Sequence, residues 1–469
     1  MTEVHALSAT ELLAEFRTRS LSPLEVIRAL IERIERLGPE INAVGDTYFD
    51  EALAHAREAE RRYAGDGTDA RPLEGLPLAV KDELELAGKR TTFGSLLFED
   101  VISESTDPVV ERLVDAGAIV HARTLAPEFS VAFWTHSRLW GVTRNPWNRE
   151  FDVGGSSGGS AASLAAGFTP LALGTDIGGS VRVPASCCGV VGYIGPRGRF
   201  PVAPPYNLDH WSNTGPMTRT VGDCALLADA MAGAHPVDHV SLPAPPALGV
   251  PSPDVAGLRI GVTFDFGDWP VASSVREAVA DSVDALRAAG AIVEEIDLVV
   301  ERELVRVASD AHHALIFGRD CAALISGREE QACAYTRWWV DSLASPPDPL
   351  VGLRAEAEIQ RRVDDALSRC DALLGPAMCI PAFAAGVDHT VEPLVLDGVE
   401  LDTFHDICPT EIFNVASSCP VLAVPAGRDP LGVPIGIQVV GRTYDDPTVF
   451  RIGAALEHAR PWPRVAHLG

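Results

Sequence analysis

The sequence predicts an α/β fold: a single large α/β/α domain over residues 1–469, with a mixed, mostly parallel central sheet covered by helices. Three observations lead there. Short apolar runs of strand character alternate with helical patterns through most of the chain, the texture of a covered sheet. The 469 residues are 46% hydrophobic, ample for a large buried core. No repeat period is present, and the Pro-rich stretch LPAPPALGVPSPD at residues 242–254 is short. Length alone allows roughly two to three domains.

Residues 1–65 read as an N-terminal helical segment packed on that core. Ser8-Ala9-Thr10-Glu11 and Ser22-Pro23-Leu24-Glu25 both fit a capping box, with Pro23 at a first helical position. The second helix, through VIRALIERIERL, is expected to stop at Gly38. A third, DEALAHAREAERRYAG, runs into the loop GDGTDARPLEG. In residues 66–230 the pattern changes to strand PLAV, helix TDPVVERLVDAG and strand AIVHART. The Pro-rich loop at 242–254 has the composition of a linker. Beyond it, residues 255–469 continue with LRIGVTF, VREAVADSVDALRAAG and AIVEEIDL, then close with PVLAVPAG and PIGIQVVG. These read as further strands and helices of the same sheet, so one domain with an excursion is expected rather than two.

The net charge is −27, with acidic residues spread along the chain. Such a surface opposes a nucleic-acid backbone or an anionic membrane as main partner. The opening MTEVHALSATELL lacks a basic stretch followed by an apolar one, so no secretory signal is expected. No run approaches the length of a membrane span. Nine scattered cysteines without a CxxC pair read as reduced thiols of a cytoplasmic protein.

Among 38 Lys and Arg residues, only Lys81 and Lys89 are lysine. Lys81 ends the apolar run Leu76-Pro77-Leu78-Ala79-Val80. A solvated surface charge is the plain reading of any single lysine. Arg, however, keeps its proton in a protein, whereas Lys loses it where apolar surroundings disfavour the ammonium. A position that must act as a base tolerates Lys and never Arg.

Two glycine-rich loops, GGSSGGS at 154–160 and GTDIGGS at 174–180, each present a small hydroxyl among residues that permit close backbone approach. Plain turns are one reading. A phosphate cradle fails because neither loop carries GxxxxGK[ST], nor G-x-G-x-x-G after a strand. Gly154–Gly158 matches the G-x-S-x-G nucleophile elbow, but the preceding NPWNREFDV is polar where that elbow needs a buried strand.

Read with GVTRNPWN, GPMTRTVGDCALL at 215–227 and FNVASSCPVLAVPAG…PIGIQVVGR at 413–442, these segments resemble the amidase signature family, in the family's order and over the whole chain. The resemblance implies hydrolysis of a carboxylic amide to acid and amine or ammonia through a serine acyl-enzyme. It implies no cofactor and no metal, and the sequence adds no HExxH. Position by position, Ser180 becomes the nucleophile, Ser156 the bridging serine on a cis peptide, and Lys81 the base. Ser156 is preferred to Ser157 because its separation from Ser180 matches the family register, leaving Ser157 as a neighbouring hydrogen-bond donor. Backbone N–H groups of Ile177, Gly178, Gly179 and Ser180 are the implied oxyanion hole. Asp176 is expected to order that loop, and Arg182 to anchor it rather than meet substrate.

These roles suit the residue types. A serine hydroxyl needs an adjacent base, and Ser156 both donates and accepts. Burial behind PLAV would push the Lys81 pKa downward, the direction a base requires.

The implied partner is a small-molecule amide substrate; a homodimer is left open. Departures from the family pattern are Val153, Cys187-Cys188 and GYIGPRGRFP at 192–201, the last leading to a segment expected to line the acyl pocket. Trp134, Trp140, Trp211, Trp338 and Trp339 either line that pocket or pack the interior. The expected function is a free-standing amidase. The alternatives are the glutaminase subunit of a tRNA-dependent amidotransferase, ranked lower because LDHWSNTGP at 208–216 replaces an LDQIGP-like segment, and an inactive binding homologue.

Overall fold

The computed structural model describes residues 3–65, 69–396 and 398–468. Its centre is an 11-stranded sheet. In chain order the strands are β1 (Val44–Thr47), β2 (Pro77–Lys81), β3 (Ile119–Thr124), β4 (Leu171–Asp176), β5 (Val191–Ile194), β6 (Asn213–Thr218), β7 (Arg259–Val262), β8 (Ile292–Glu295), β9 (Ala372–Pro376), β10 (Val421–Arg428) and β11 (Pro434–Gly441). They lie side by side as β1-β3-β2-β4-β6-β5-β10-β11-β9-β7-β8. Helices cover the sheet, as the alternating texture predicts.

The sheet is mixed but not mostly parallel. Parallel pairing is confined to β3-β2-β4 on one flank and β9-β7-β8 on the other. From β4 through β6, β5, β10 and β11 to β9 every neighbour is antiparallel. Helices connect the parallel strands of both flanks, and helix Arg182–Cys188 also joins β4 to β5. The middle is built by excursions and a hairpin, β10–β11, closed where Gly432 N–H donates to Asp429 O at 3.0 Å with Gly432 at φ 83°. Apolar runs identify buried strands without fixing their direction. Strands from either side of residues 242–254 pair directly, Ile194 opposite Val421.

At the N-terminus both capping boxes form, on helices Ala9–Thr18 and Pro23–Ile41. The second helix runs past Gly38 and Pro39, contrary to the expected stop, and ends at Asn42 in the left-handed conformation. Its apolar stripe continues through the buried Leu37 and Ile41, and that burial outweighs the local breakers. Residues 66–68, at the expected segment boundary and within the GDGTDARPLEG loop, lie outside the described residues.

Two features of this frame place the candidate site residues. Every residue of β2 is buried, and β2 runs parallel to β4 with Val80 opposite Leu173, so Lys81 and the segment after Asp176 leave the sheet at the same edge. That carboxyl edge of parallel strands is where α/β sheets place ligands. Helix Gly158–Ala165 then presses against the strands: a Cβ on Gly159 would lie 2.3 Å from Leu125 N and 2.7 Å from Ala43 O. Only glycine permits that approach.

Gly159→Ala is therefore expected to destabilise the fold by about 1–3 kcal/mol through overpacking against backbone. Urea unfolding measures this, and an unchanged midpoint would contradict the packing described.

Candidate active site

Lys81 closes β2 with its side chain wholly buried. Its Nζ is 2.7 Å from Ser156 Oγ and 2.6 Å from Thr175 Oγ1, and 2.8 Å from Glu83 Oε2. Burial drives its pKa below that of a free lysine, opposed by the Glu83 carboxylate and, further off, Asp176. A lysine at the end of an apolar strand thus has the environment that disfavours its ammonium, tempered by one carboxylate.

Ser156 follows Gly155 across a cis peptide. A Cβ on Gly155 would fall 2.6 Å from Ala132 O and 2.7 Å from Trp134 O, so a side chain has no room there. The Lys81 amine reaches Ser156, whereas Ser157 turns to the sheet. Ser157 Oγ accepts from Thr175 N–H and donates to Thr175 O, both at 3.2 Å. Ser157 N–H also donates to Ser180 O at 3.0 Å, tying the two glycine loops together. Ser180 is nearly buried, at 5% exposure. Among the described residues, the Ser156 and Ser180 hydroxyls are not hydrogen-bonded to each other; such contacts often tighten only when substrate arrives.

The loop between Asp176 and Arg182 is fixed by buried charge. Asp176 accepts from Gly179 N–H at 2.8 Å, from Val181 N–H at 3.0 Å and from Arg182 Nη2 at 2.9 Å. Arg182 continues to Thr410 O at 2.8 Å and to Asn414 Oδ1 at 2.5 Å, while Asn414 Nδ2 donates back to Asp176 Oδ1 at 2.9 Å. Burial pushes the Asp176 carboxyl up, but Arg182 and Asn414 outweigh it and leave it below its usual range. Asp176 and Arg182 thus tie the two ends of the loop to each other and to Thr410 and Asn414.

One expected donor is otherwise engaged. Gly179 N–H is spent on Asp176 Oδ1, because the tight turn after β4 folds the carboxylate back onto it. The N–H groups of Ile177, Gly178 and Ser180 have no protein acceptor among the described residues. Gly179 itself sits at φ 131°, and a Cβ there would strike Thr410 Oγ1 at 2.1 Å.

Several residues at this site escaped the sequence reading. Glu83 and Thr175 contact Lys81, while Thr410, Asn414 and Gln438 brace Arg182. Glu83 lies in the turn that closes β2, where its N–H donates to Lys81 O at 2.8 Å and its carboxylate folds back to the amine. The others come from distant strands and helices, and only the fold brings them in.

The tryptophans mostly pack the interior. Trp134 is fully buried, ringed by Phe404 at 4.8 Å and Phe383 at 5.6 Å, and Trp211 stacks on His312 at 4.1 Å. Phe133 is the aromatic that reaches the loop: its Cζ lies 3.6 Å from where a Gly178 Cβ would be, with Glu411 Oε1 at 3.2 Å from the same point. Asp209, His210 and His312 bring potential metal-ligating atoms within 4.8 Å of one another. Their atoms are turned on each other, His312 Nε2 lying 2.8 Å from Asp209 Oδ1 and His312 Nδ1 3.5 Å from Glu356. That is the geometry of an imidazolium clamp. All nine cysteines are free and buried, with Cys187 and Cys188 held as thiols by burial. No helix among the described residues is long and apolar enough to cross a membrane.

A family model described as Amidase matches residues 25–450. A glutamyl-tRNA(Gln) amidotransferase subunit from Carboxydothermus hydrogenoformans is 31% identical, covering 97% of each chain. The corresponding protein from Geobacter metallireducens is 32% identical over 98% of each. Among solved structures, a bacterial aryl acylamidase of the amidase signature family superposes with a TM-score of 0.89 at 28% identity, covering 98% of this chain and 97% of that one. A 6-aminohexanoate cyclic dimer hydrolase gives 0.85 at 26% identity, covering 99% of each.

Arg182→Met should cost about 3–5 kcal/mol, because it strands the buried Asp176 carboxylate without its partner. With its folded-state pKa held low, Asp176 contributes stability above its unfolded pKa and loses it as pH falls through the folded value. The gap between wild type and variant should accordingly narrow toward acid. Urea unfolding across pH checks both, and a loss under about 1 kcal/mol at neutral pH would contradict the account.

Proposed function

The chain belongs to the amidase signature family, and on that premise we propose that it cleaves a carboxylic amide through an acyl-enzyme on Ser180, with Ser156 as proton bridge and Lys81 as base. The observation carrying this is the 2.7 Å contact between a wholly buried lysine amine and Ser156. Ser180 Oγ attacks the amide carbon as its proton passes to Ser156, whose own proton passes to neutral Lys81. The developing oxyanion meets the N–H groups of Ile177, Gly178 and Ser180, each worth about 3–4 kcal/mol when well aimed. As the C–N bond breaks, the proton returns from Lys81 through Ser156 to the leaving nitrogen. Water then enters by the same relay, releasing the acid and restoring Ser180. Asp176 and Arg182 hold the donor loop. An inactive binding homologue would have no use for this arrangement.

For the acyl donor, the curated relatives favour the glutaminase subunit of a tRNA-dependent amidotransferase over the free-standing amidase that the sequence ranks first. In that role the substrate is a glutamine side-chain amide, and further chains take up the ammonia. A second reading, a free-standing hydrolase of aryl amides, draws on Phe133 beside the donor loop and on the aryl acylamidase likeness. Ammonia release from glutamine and arylamine release from anilides, measured on the purified chain, separate them. Anilide turnover by the chain alone supports the second reading. Glutamine turnover that appears only with partner chains supports the first.

The mechanism makes its own demands. Ser180→Ala should abolish covalent acylation and keep the fold, since Ala preserves the backbone donors; an acyl adduct persisting on serine would overturn the nucleophile assignment. Lys81→Arg should be nearly as damaging as Lys81→Ala, because Arg stays protonated. Lys89→Arg, at a residue paired on the surface with Glu51, should be tolerated. An active Lys81→Arg enzyme with an unchanged pH profile would rule out the base assignment.

A further inference from the structure

The proton relay has to satisfy a directional constraint at Lys81. A neutral amine has two N–H donors and one lone pair, and it can accept the Ser156 proton only if that lone pair faces Ser156. Three oxygens surround Nζ: Ser156 Oγ at 2.7 Å, Thr175 Oγ1 at 2.6 Å and Glu83 Oε2 at 2.8 Å. Thr175 has a single proton, and its Oγ1 directs it to Glu83 Oε2 at 2.8 Å. Ser130 Oγ donates to the same carboxylate oxygen at 2.7 Å. Those two donors pin the carboxylate and leave Thr175 Oγ1 as an acceptor toward Lys81. The two N–H groups of the neutral amine are thereby drawn to Thr175 and Glu83.

Resting on the amide-hydrolysis reading, we infer that Glu83 is a positioning residue of the relay: its carboxylate, directly and through Thr175, takes up the N–H donors of Lys81 so that the amine lone pair points at the Ser156 hydroxyl. As an ammonium the same nitrogen donates to all three oxygens, so the site accommodates both protonation states without moving. The carboxylate also stabilises the ammonium, opposing the burial that otherwise depresses it. Burial raises the Glu83 carboxyl, but Lys81, Ser130 and Thr175 outweigh it and keep it ionised. Other acidic groups nearby are Asp176, already neutralised by Arg182, and Asp107, whose carboxyl burial raises to about 7. Tyr206, also near Glu83, is raised by burial to about 12. None of these occupies the contact that Glu83 makes.

The test needs no known substrate. The rate of Ser180 modification by a fluorophosphonate probe is followed by mass spectrometry across pH in wild type, Glu83→Gln, Glu83→Asp and Glu83→Leu. Gln keeps an acceptor but removes the charge, so less ammonium is stabilised and the acid limb should move to lower pH by about 1–3 units. Asp should bring the limb back toward wild type. Leu removes the acceptor, and its plateau rate should fall about 100-fold. An unmoved acid limb in Glu83→Gln overturns the inference even if Glu83→Leu does not fold. So does an unchanged plateau in a folded Glu83→Leu. Complete loss of labelling at every pH in a folded Glu83→Gln would make Glu83 an obligatory proton acceptor and also overturn it. A wild-type enzyme that takes up no probe on Ser180 counts against the underlying mechanism, whereas labelled wild type with an unmoved Glu83→Gln limb counts against Glu83 alone.

Discussion

A primary amine sealed from solvent at the end of a buried strand is the constraint on which the site depends. Moving an ammonium into such surroundings is costly, so the Lys81 environment must either neutralise it or give it partners. Here both tendencies are present. Burial on β2 favours the neutral amine, while Glu83 and Thr175 give its protons places to go. Parallel pairing of β2 with β4 then makes the amine useful, because the second glycine loop leaves the sheet at the same edge.

A second buried charge performs a different task nearby. Asp176 and Arg182 form a closed, fully hydrogen-bonded pair that folds the loop after β4 into a fixed shape. The engagement of Gly179 and Val181 N–H with Asp176 follows from that shape, while among the described residues the N–H groups of Ile177, Gly178 and Ser180 have no protein acceptor. Thr410 and Asn414 on the far side, and Gln438 on β11, extend the support into the second half of the chain. The loop geometry at residues 176–182 thus rests on strands and helices more than two hundred positions later.

What could be read from the sequence divides along the same line. Lys81 stood out because an Arg-rich chain retains Lys at an apolar strand end, and the glycine loops because small residues permit close backbone approach. The capping boxes at Ser8 and Ser22 are local, and both form. Strand direction was not legible, since a buried apolar run looks the same in either sense. The stop expected at Gly38 gave way because burial of Leu37 and Ile41 is a tertiary effect. Thr175 gains its meaning only from the contact between β2 and β4, and Glu83 from the turn after β2 that folds its carboxylate back onto the Lys81 amine. Neither local spacing nor residue type announces either.

To act as a base, Lys81 must be available as a neutral amine at working pH. Because the chain has only two lysines, a sample labelled with 15N at the lysine side chain gives two Nζ resonances, assigned with Lys89→Arg. Following the Lys81 resonance through a pH titration reads its protonation directly. A neutral Lys81 predicts a midpoint clearly below the free-lysine value of about 10.4. A Lys81 midpoint at or above that value would contradict it.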